Sequence, residues 1–246
     1  MHELGHTRSA HRRDHLLLTP DTFVRAPLPG MRGATAIVHV APAAGAGFTQ
    51  YTAELEAQGS LGSTRAQRFV YVLEGELLLI RHGAETRLRP GGYAYLPPSE
   101  PHECKANVRS RAAVIEKPYL PLAGTPLPAA FTAVEADVPA SALGGDPALE
   151  VRALIPAEAS FDFAVNTMTY QPGAALPMVE IHVMEHGLLM LSGGGIYRLG
   201  DNWYPVTAGE FIWMAPYCPQ WFGALGKSPA KYLIYKDWNR HPLVGS

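Results

Sequence analysis

Hydrophobic positions cluster in short runs of four to six, not in the long 3.6-residue rhythm of helices. Phe69-Val70-Tyr71-Val72-Leu73, Leu77-Leu78-Leu79-Ile80 and Tyr93-Ala94-Tyr95-Leu96 are rich in aliphatic and aromatic side chains, and glycine or proline punctuates them. The second half echoes this with 188–191, 195–199, 211–214 and 232–235. Such runs predict strands, and many short strands at regular spacing predict a sandwich or small barrel. Gly200-Asp201-Asn202 and His82-Gly83 carry hairpin-turn chemistry. A weak helical pattern covers Thr132 to Val138.

The echo has a fixed register. Gly91, Pro98, Pro101 and His102 fall on Gly209, Pro216, Pro219 and Gln220 with a shift of 118, which also carries Leu73-Glu74-Gly75-Glu76 onto Leu191-Ser192-Gly193-Gly194. A gap-free register from Gly75 to His102 indicates an internal duplication. The expected organisation is an N-terminal extension plus first domain over 1–122, a linker over 123–155 containing Gly144-Gly145, and a second domain over 156–246. The expected class is all-β.

Composition adds exclusions. The 24 glycines and 22 prolines among 246 residues disfavour a mostly helical protein. Charged residues make up 17% and the net charge is −2, which points to neither a nucleic-acid nor a membrane partner. Leu16, Leu17 and Leu18 run straight into Thr19-Pro20, too short for a signal peptide, and no run approaches the ~20 residues of a membrane span. Cys104 and Cys218 read as free thiols of a reducing, cytoplasmic compartment.

Candidate chemistry lies in the second half, at Glu180-Ile181-His182-Val183-Met184-Glu185-His186-Gly187. A zincin helix would need Glu directly after the first His, where Val183 stands. On a strand Glu180, His182 and His186 share a face, so two imidazoles and a carboxylate can converge on a divalent first-row metal. Glu185 falls on the opposite face and reads as solvated or salt-bridged. Lys236 shares parity with Tyr232, which allows it into the barrel interior; desolvation there lowers an ammonium pKa and makes proton transfer feasible. Cys218 reads as a small buried hydrophobe in preference to a thiolate ligand.

Glu180-x-His182-x3-His186-x6-Gly193 resembles the first motif of cupins, with Glu replacing the usual first His and His the usual Glu. The segment 209–220 resembles the second motif, with Gln220 at its His position. This ligand set, followed by Tyr232-Leu233-Ile234-Tyr235-Lys236-Asp237-x-Asn239-Arg240, is similar to the (S)-ureidoglycine aminohydrolase family of purine (allantoin) degradation. The resemblance spans essentially the whole chain. It implies a bicupin of two tandem jelly-roll barrels and a hydrolase that converts (S)-2-ureidoglycine to (S)-ureidoglycolate and ammonia. It further implies one Mn²⁺ per chain on Glu180, His182, His186 and Gln220. Lys236 and Glu180 are the implied proton-handling residues; Tyr232, Lys236, Tyr197, Glu180 and Gln220 are the implied substrate contacts. The competing expectations are an Fe²⁺ bicupin dioxygenase and a non-catalytic small-molecule-binding cupin. A homo-oligomer is expected because cupins pair through exposed sheets. Subtracting 118 maps Glu180, His182, His186 and Gln220 onto Gly62, Thr64, Arg68 and His102, so the first half is expected to have lost its metal site, with His102 a hydrogen-bonded pocket residue.

Overall fold

The computed structural model describes residues 6–240. It is built of strands with three short 3₁₀ turns, and none of its helices is long and apolar enough to cross a membrane. Two compact units form: one spans 24–137, and the other combines the described residues before 24 with those after 137.

In the second unit an eight-stranded sheet runs in the order Ala10–His11, His15–Leu18, Phe211–Met214, His186–Ser192, Ala230–Asp237, Phe163–Tyr170, Asp146–Ala153, Ala140–Leu143. A three-stranded sheet orders Asn202–Thr207, Gly194–Leu199, Gln220–Ala224. Strand alternation sends Leu188, Met190, Ile212, Tyr232 and Ile234 from the larger sheet, and Tyr197, Leu199 and Phe222 from the smaller one, into one core. Phe222 is its hub, in edge contact with Tyr170 at 5.0 Å and with Tyr232 at 5.8 Å. Truncating such a ring to alanine costs about 3–5 kcal/mol.

The first unit repeats the plan in a ten-stranded sheet around its own core of Tyr51, Val70, Val72, Leu77, Leu79 and Val114. Its strands Gln67–Glu74, Leu77–Arg81, Ala84–Leu88, Gly92–Leu96 and Glu103–Ala106 match His186–Ser192, Gly194–Leu199, Asn202–Thr207, Phe211–Met214 and Gln220–Ala224 at the 118-residue shift. Backbone irregularities match too: positive φ recurs at 75 and 193, 82 and 200, 91 and 209, and 99 and 217. At Gly75 and Gly193 a Cβ would fall within 2.5 Å of a neighbouring backbone carbonyl, so both turns require glycine.

Three expectations change. The N-terminal segment, expected with the first domain, belongs to the second unit: His15–Leu18 pairs antiparallel with Phe211–Met214, covers that sheet's edge and buries Leu17. Glu210, fully buried, anchors Arg8. Second, the expected linker at 123–155 is largely structured. Phe131–Val134 adds to the first unit beside Gly92–Leu96, and Ala140–Leu143 and Asp146–Ala153 form a hairpin in the second. Gly144 and Gly145, at φ 60° and 85°, supply the two positive dihedrals of its turn. Third, the weak helical stretch at 132–138 resolves into the strand Phe131–Val134 and a single 3₁₀ turn, Glu135–Asp137. The ends of the outer expected domains, 1–5 and 241–246, lie outside the described residues.

Candidate active site

Glu180, His182, His186, Gln220, Tyr197, Tyr232 and Lys236 all line one cavity of about 450 Å³ in the second unit. Two segments carry the expected ligands. Glu180 and Gln220 lock together through reciprocal backbone hydrogen bonds, 2.8 and 2.9 Å, and the Tyr217 N–H donates to the His182 carbonyl at 2.7 Å. His186 opens the strand His186–Ser192. Residues 181–185 are not strand, so a bend, not shared strand parity, brings Glu180 and His182 round to His186. His182 Nε2–H donates to Glu180 Oε2 at 3.1 Å, and the rings of His182 and His186 lie 5.1 Å apart.

Lys236 stands directly opposite His186 in the ladder, and Tyr232 opposite Met190. Both enter the cavity, as their parity predicts. Burial pushes the Lys236 ammonium pKa below its usual value, with the Glu180 carboxylate partly opposing. Its Nζ sits 4.8 Å over the Trp238 ring. Tyr232 and Tyr170 share a hydroxyl hydrogen bond of 2.9 Å, and burial raises the pKa of Tyr232 and Tyr197 well above ordinary, keeping both protonated and able to donate. His186 is pushed down to about 3, chiefly by burial and then by the charges of His182 and Lys236, so its imidazole is neutral.

The donors suit a metal. Gln220 Oε1 is buried without a hydrogen-bond partner, a costly state for an amide oxygen that a cation relieves. Two imidazoles, a carboxylate and an amide oxygen fit a fairly hard divalent ion.

Glu185 departs from expectation. It is buried, and its Oε2 accepts from Trp213 Nε1 at 3.0 Å, because the bend at 181–185 turns it inward. Sequence reading also missed Asn166, Met168 and Trp238 on the cavity wall, and the hairpin residue Ser141 beside them. Parity with Lys236 and Tyr232, carried one step further, reaches Trp238; it says nothing of Asn166, Met168 and Ser141, which lie on other strands. Asp14 and His15 were not singled out either. With Cys218 they place one carboxylate, one imidazole and one thiol donor within 4.8 Å of one another, a group able to bind a metal.

Two β-barrel units of this strand plan, with histidine, carboxylate and amide donors facing inward in one of them, define a two-domain cupin, and the cupin-domain family matches residues 54–116 and 166–235. The chain is 40% identical over 97% of its length, and 80% of the relative's, to (S)-ureidoglycine aminohydrolase of Arabidopsis thaliana. It is 39% identical over 98% of its length, and 78% of the relative's, to a probable (S)-ureidoglycine aminohydrolase of Oryza sativa subsp. japonica. A putative glyoxylate-induced protein from Pseudomonas aeruginosa superposes with a TM-score of 0.86 at 31% identity, covering 97% and 93% of the two chains. The chain belongs to the (S)-ureidoglycine aminohydrolase family.

Proposed function

We propose that the chain hydrolyses (S)-2-ureidoglycine to (S)-ureidoglycolate and ammonia, using Mn²⁺ held by Glu180, His182, His186 and Gln220. The observation that carries this reading is the gathering of those donors, both tyrosines and a buried lysine around one cavity of about 450 Å³, a size for a small ligand. A bound divalent ion supplies Lewis-acid polarisation and a fixed point for substrate oxygens. Tyr232 and Tyr197, protonated and buried, donate hydrogen bonds to carboxylate or ureido oxygens and orient the stereocentre. Lys236 Nζ holds the proton that the departing amine nitrogen takes as its bond to carbon breaks. Water supplies the new C–O bond, and its proton passes to Glu180 or back to Lys236. Tyr197 and Tyr232 belong both to the cavity lining and to the apolar core, which makes that wall of the cavity part of the packed interior.

The same reading extends to a cytoplasmic homo-oligomer acting on a small ureide, supported in part by two buried, unpaired thiols. The direct test is ammonia release from freshly generated ureidoglycine by Mn²⁺-loaded protein, with and without oxygen. Enzyme-dependent, oxygen-independent ammonia above the spontaneous rate is expected. Oxygen consumption, or no ammonia above background, refutes the assignment.

A further inference from the structure

The trio Asp14, His15 and Cys218 stands apart from the cavity residues described above, and its backbone is fixed before any ion binds. His15 pairs with Met214 at the sheet edge, and the Ala215 N–H donates to the Asp14 carbonyl at 2.9 Å. The chain then turns, with the Cys218 N–H donating to the Ala215 carbonyl at 3.1 Å, so Cys218 comes back towards residues 14–15. His15 and Cys218 are buried, while the Asp14 side chain is 43% exposed and leaves a route from solvent. A turn glycine clears the space: at Gly200, φ +57°, an added Cβ would come 2.9 Å from Asp14 Oδ2.

The remaining imidazole nitrogen already has the partner that metal-binding histidines require. His15 Nε2 lies 2.9 Å from the Tyr204 hydroxyl, and Nδ1 lies 2.8 Å from Asp14 Oδ1. Nδ1–H donates to Asp14 Oδ1 and Nε2 accepts from the Tyr204 hydroxyl; in the other neutral tautomer Nε2–H donates to Tyr204 and the Nδ1 lone pair joins the carboxylate as a metal ligand. Opening this 2.8 Å pair to the roughly 3.3 Å between two ligands of tetrahedral zinc takes only small side-chain rotations.

We infer that Asp14, His15 and Cys218 form a second metal site, selective for a borderline-soft divalent cation of the Zn²⁺ class, that pins the N-terminal strand to the loop leading into Gln220. The donor set gives the selectivity. A sulfur ligand favours Zn²⁺ over Mn²⁺, Mg²⁺ or Ca²⁺, and one thiolate plus one carboxylate neutralise the dication. Three protein ligands leave the fourth tetrahedral position to water on the Asp14 side. The site therefore differs in chemistry from the nitrogen-and-oxygen set around Glu180, and one chain holds two ions of different hardness.

Co²⁺, a spectroscopic stand-in for Zn²⁺, separates the sites because only a thiolate ligand produces an intense near-ultraviolet sulfur-to-cobalt band. Full-length protein is stripped with chelator and titrated with Co²⁺. The band is expected to saturate within two equivalents in the wild type, whose other site also takes Co²⁺, and at one in His186→Ala, to be bleached by Zn²⁺, and to survive in Cys104→Ser. It is expected to vanish in Cys218→Ser, while Tyr204→Phe weakens binding about 10- to 100-fold, as loss of an outer-shell partner does. Absence of the band from the wild-type protein overturns the site irrespective of how any variant folds. So does a band that persists in Cys218→Ser or disappears in Cys104→Ser.

Discussion

The two units build the same barrel plan and fill the same place in it differently. In the second, His186 and Lys236 face each other across a ladder, with Gln220 and Glu180 alongside. In the first, Arg68 and Glu116 are the facing pair, and His102 stands at the position of Gln220. Arg68 is 4% exposed and saturated: Nε donates to Glu116 at 2.8 Å, and Nη1 to the Gly62 carbonyl at 2.7 Å and to His102 Nε2 at 2.8 Å. Gly62 and Thr64 supply no side-chain ligands where Glu180 and His182 stand. One barrel therefore carries its cation covalently, as a guanidinium with its own carboxylate. The other presents an unpaired amide oxygen and the neutral His186 imidazole to a cation from outside. The architecture accepts either solution because the surrounding apolar core is independent of it.

The largest effect should come from deleting a ligand in the open barrel. His186→Ala should lower ammonia release more than ~100-fold, beyond the 10- to 100-fold that even outer-shell losses cause; steady-state assays at saturating Mn²⁺ check this. Lys236→Met keeps the aliphatic stem and removes the amine. Its kcat should fall by roughly 10²–10⁴ with KM nearly unchanged, whereas a pure binding role would move KM. A near-normal kcat would remove the lysine from proton transfer.

Changes in the closed barrel should read out in stability, not catalysis. Glu116→Ala strands a buried guanidinium and should cost about 3 kcal/mol, the low end for a broken buried pair because the Glu116 side chain is 21% exposed. The double variant Arg68→Met/Glu116→Leu should recover most of that loss. Urea unfolding measures both, and kcat should stay at the wild-type value. A fall in kcat matching the stability change would couple the barrels in a way the two sites do not explain.

The smallest effect is a pH dependence. Burial, then the Arg68 charge, pushes His102 down to about 4, against 6.5 for an ordinary imidazole. Between pH 6.5 and 4 the unfolded chain binds a proton that the folded chain refuses, so stability falls as pH is lowered through that window. His102→Asn removes this share and should lose roughly 1–2 kcal/mol less than wild type between pH 7 and 4.5. His39, pushed down to about 3 by burial, acts alike in both proteins and cancels. Parallel stability–pH curves for the two proteins would contradict the role of His102.

Much of this was legible in the sequence because the duplication is written in residues with backbone consequences. Gly75 and Gly193 are forced by crowding, and the 118-residue offset follows from such positions. The candidate ligands were legible from residue type and motif spacing. Sheet-edge partnership was not: nothing local in His15–Leu18 says that Phe211–Met214 is its neighbour. The Gly144-Gly145 pair reads equally as linker or hairpin turn, and only the pairing of Ala140–Leu143 with Asp146–Ala153 decides. Glu185 was misplaced because strand parity was carried through a bend. The loop 225–229 is two residues longer than its counterpart 107–109, so from Ser110 and Ala230 onward the two copies lie 120 residues apart, which hid the correspondence of Glu116 with Lys236.

The central claim is that a hard divalent ion occupies the second barrel and not the first. Manganese content per chain, measured after loading and removal of excess ion in wild type, His186→Ala and His102→Ala, tests it most directly. One, none and one are predicted. Manganese retained by His186→Ala, or lost from His102→Ala, would contradict the assignment.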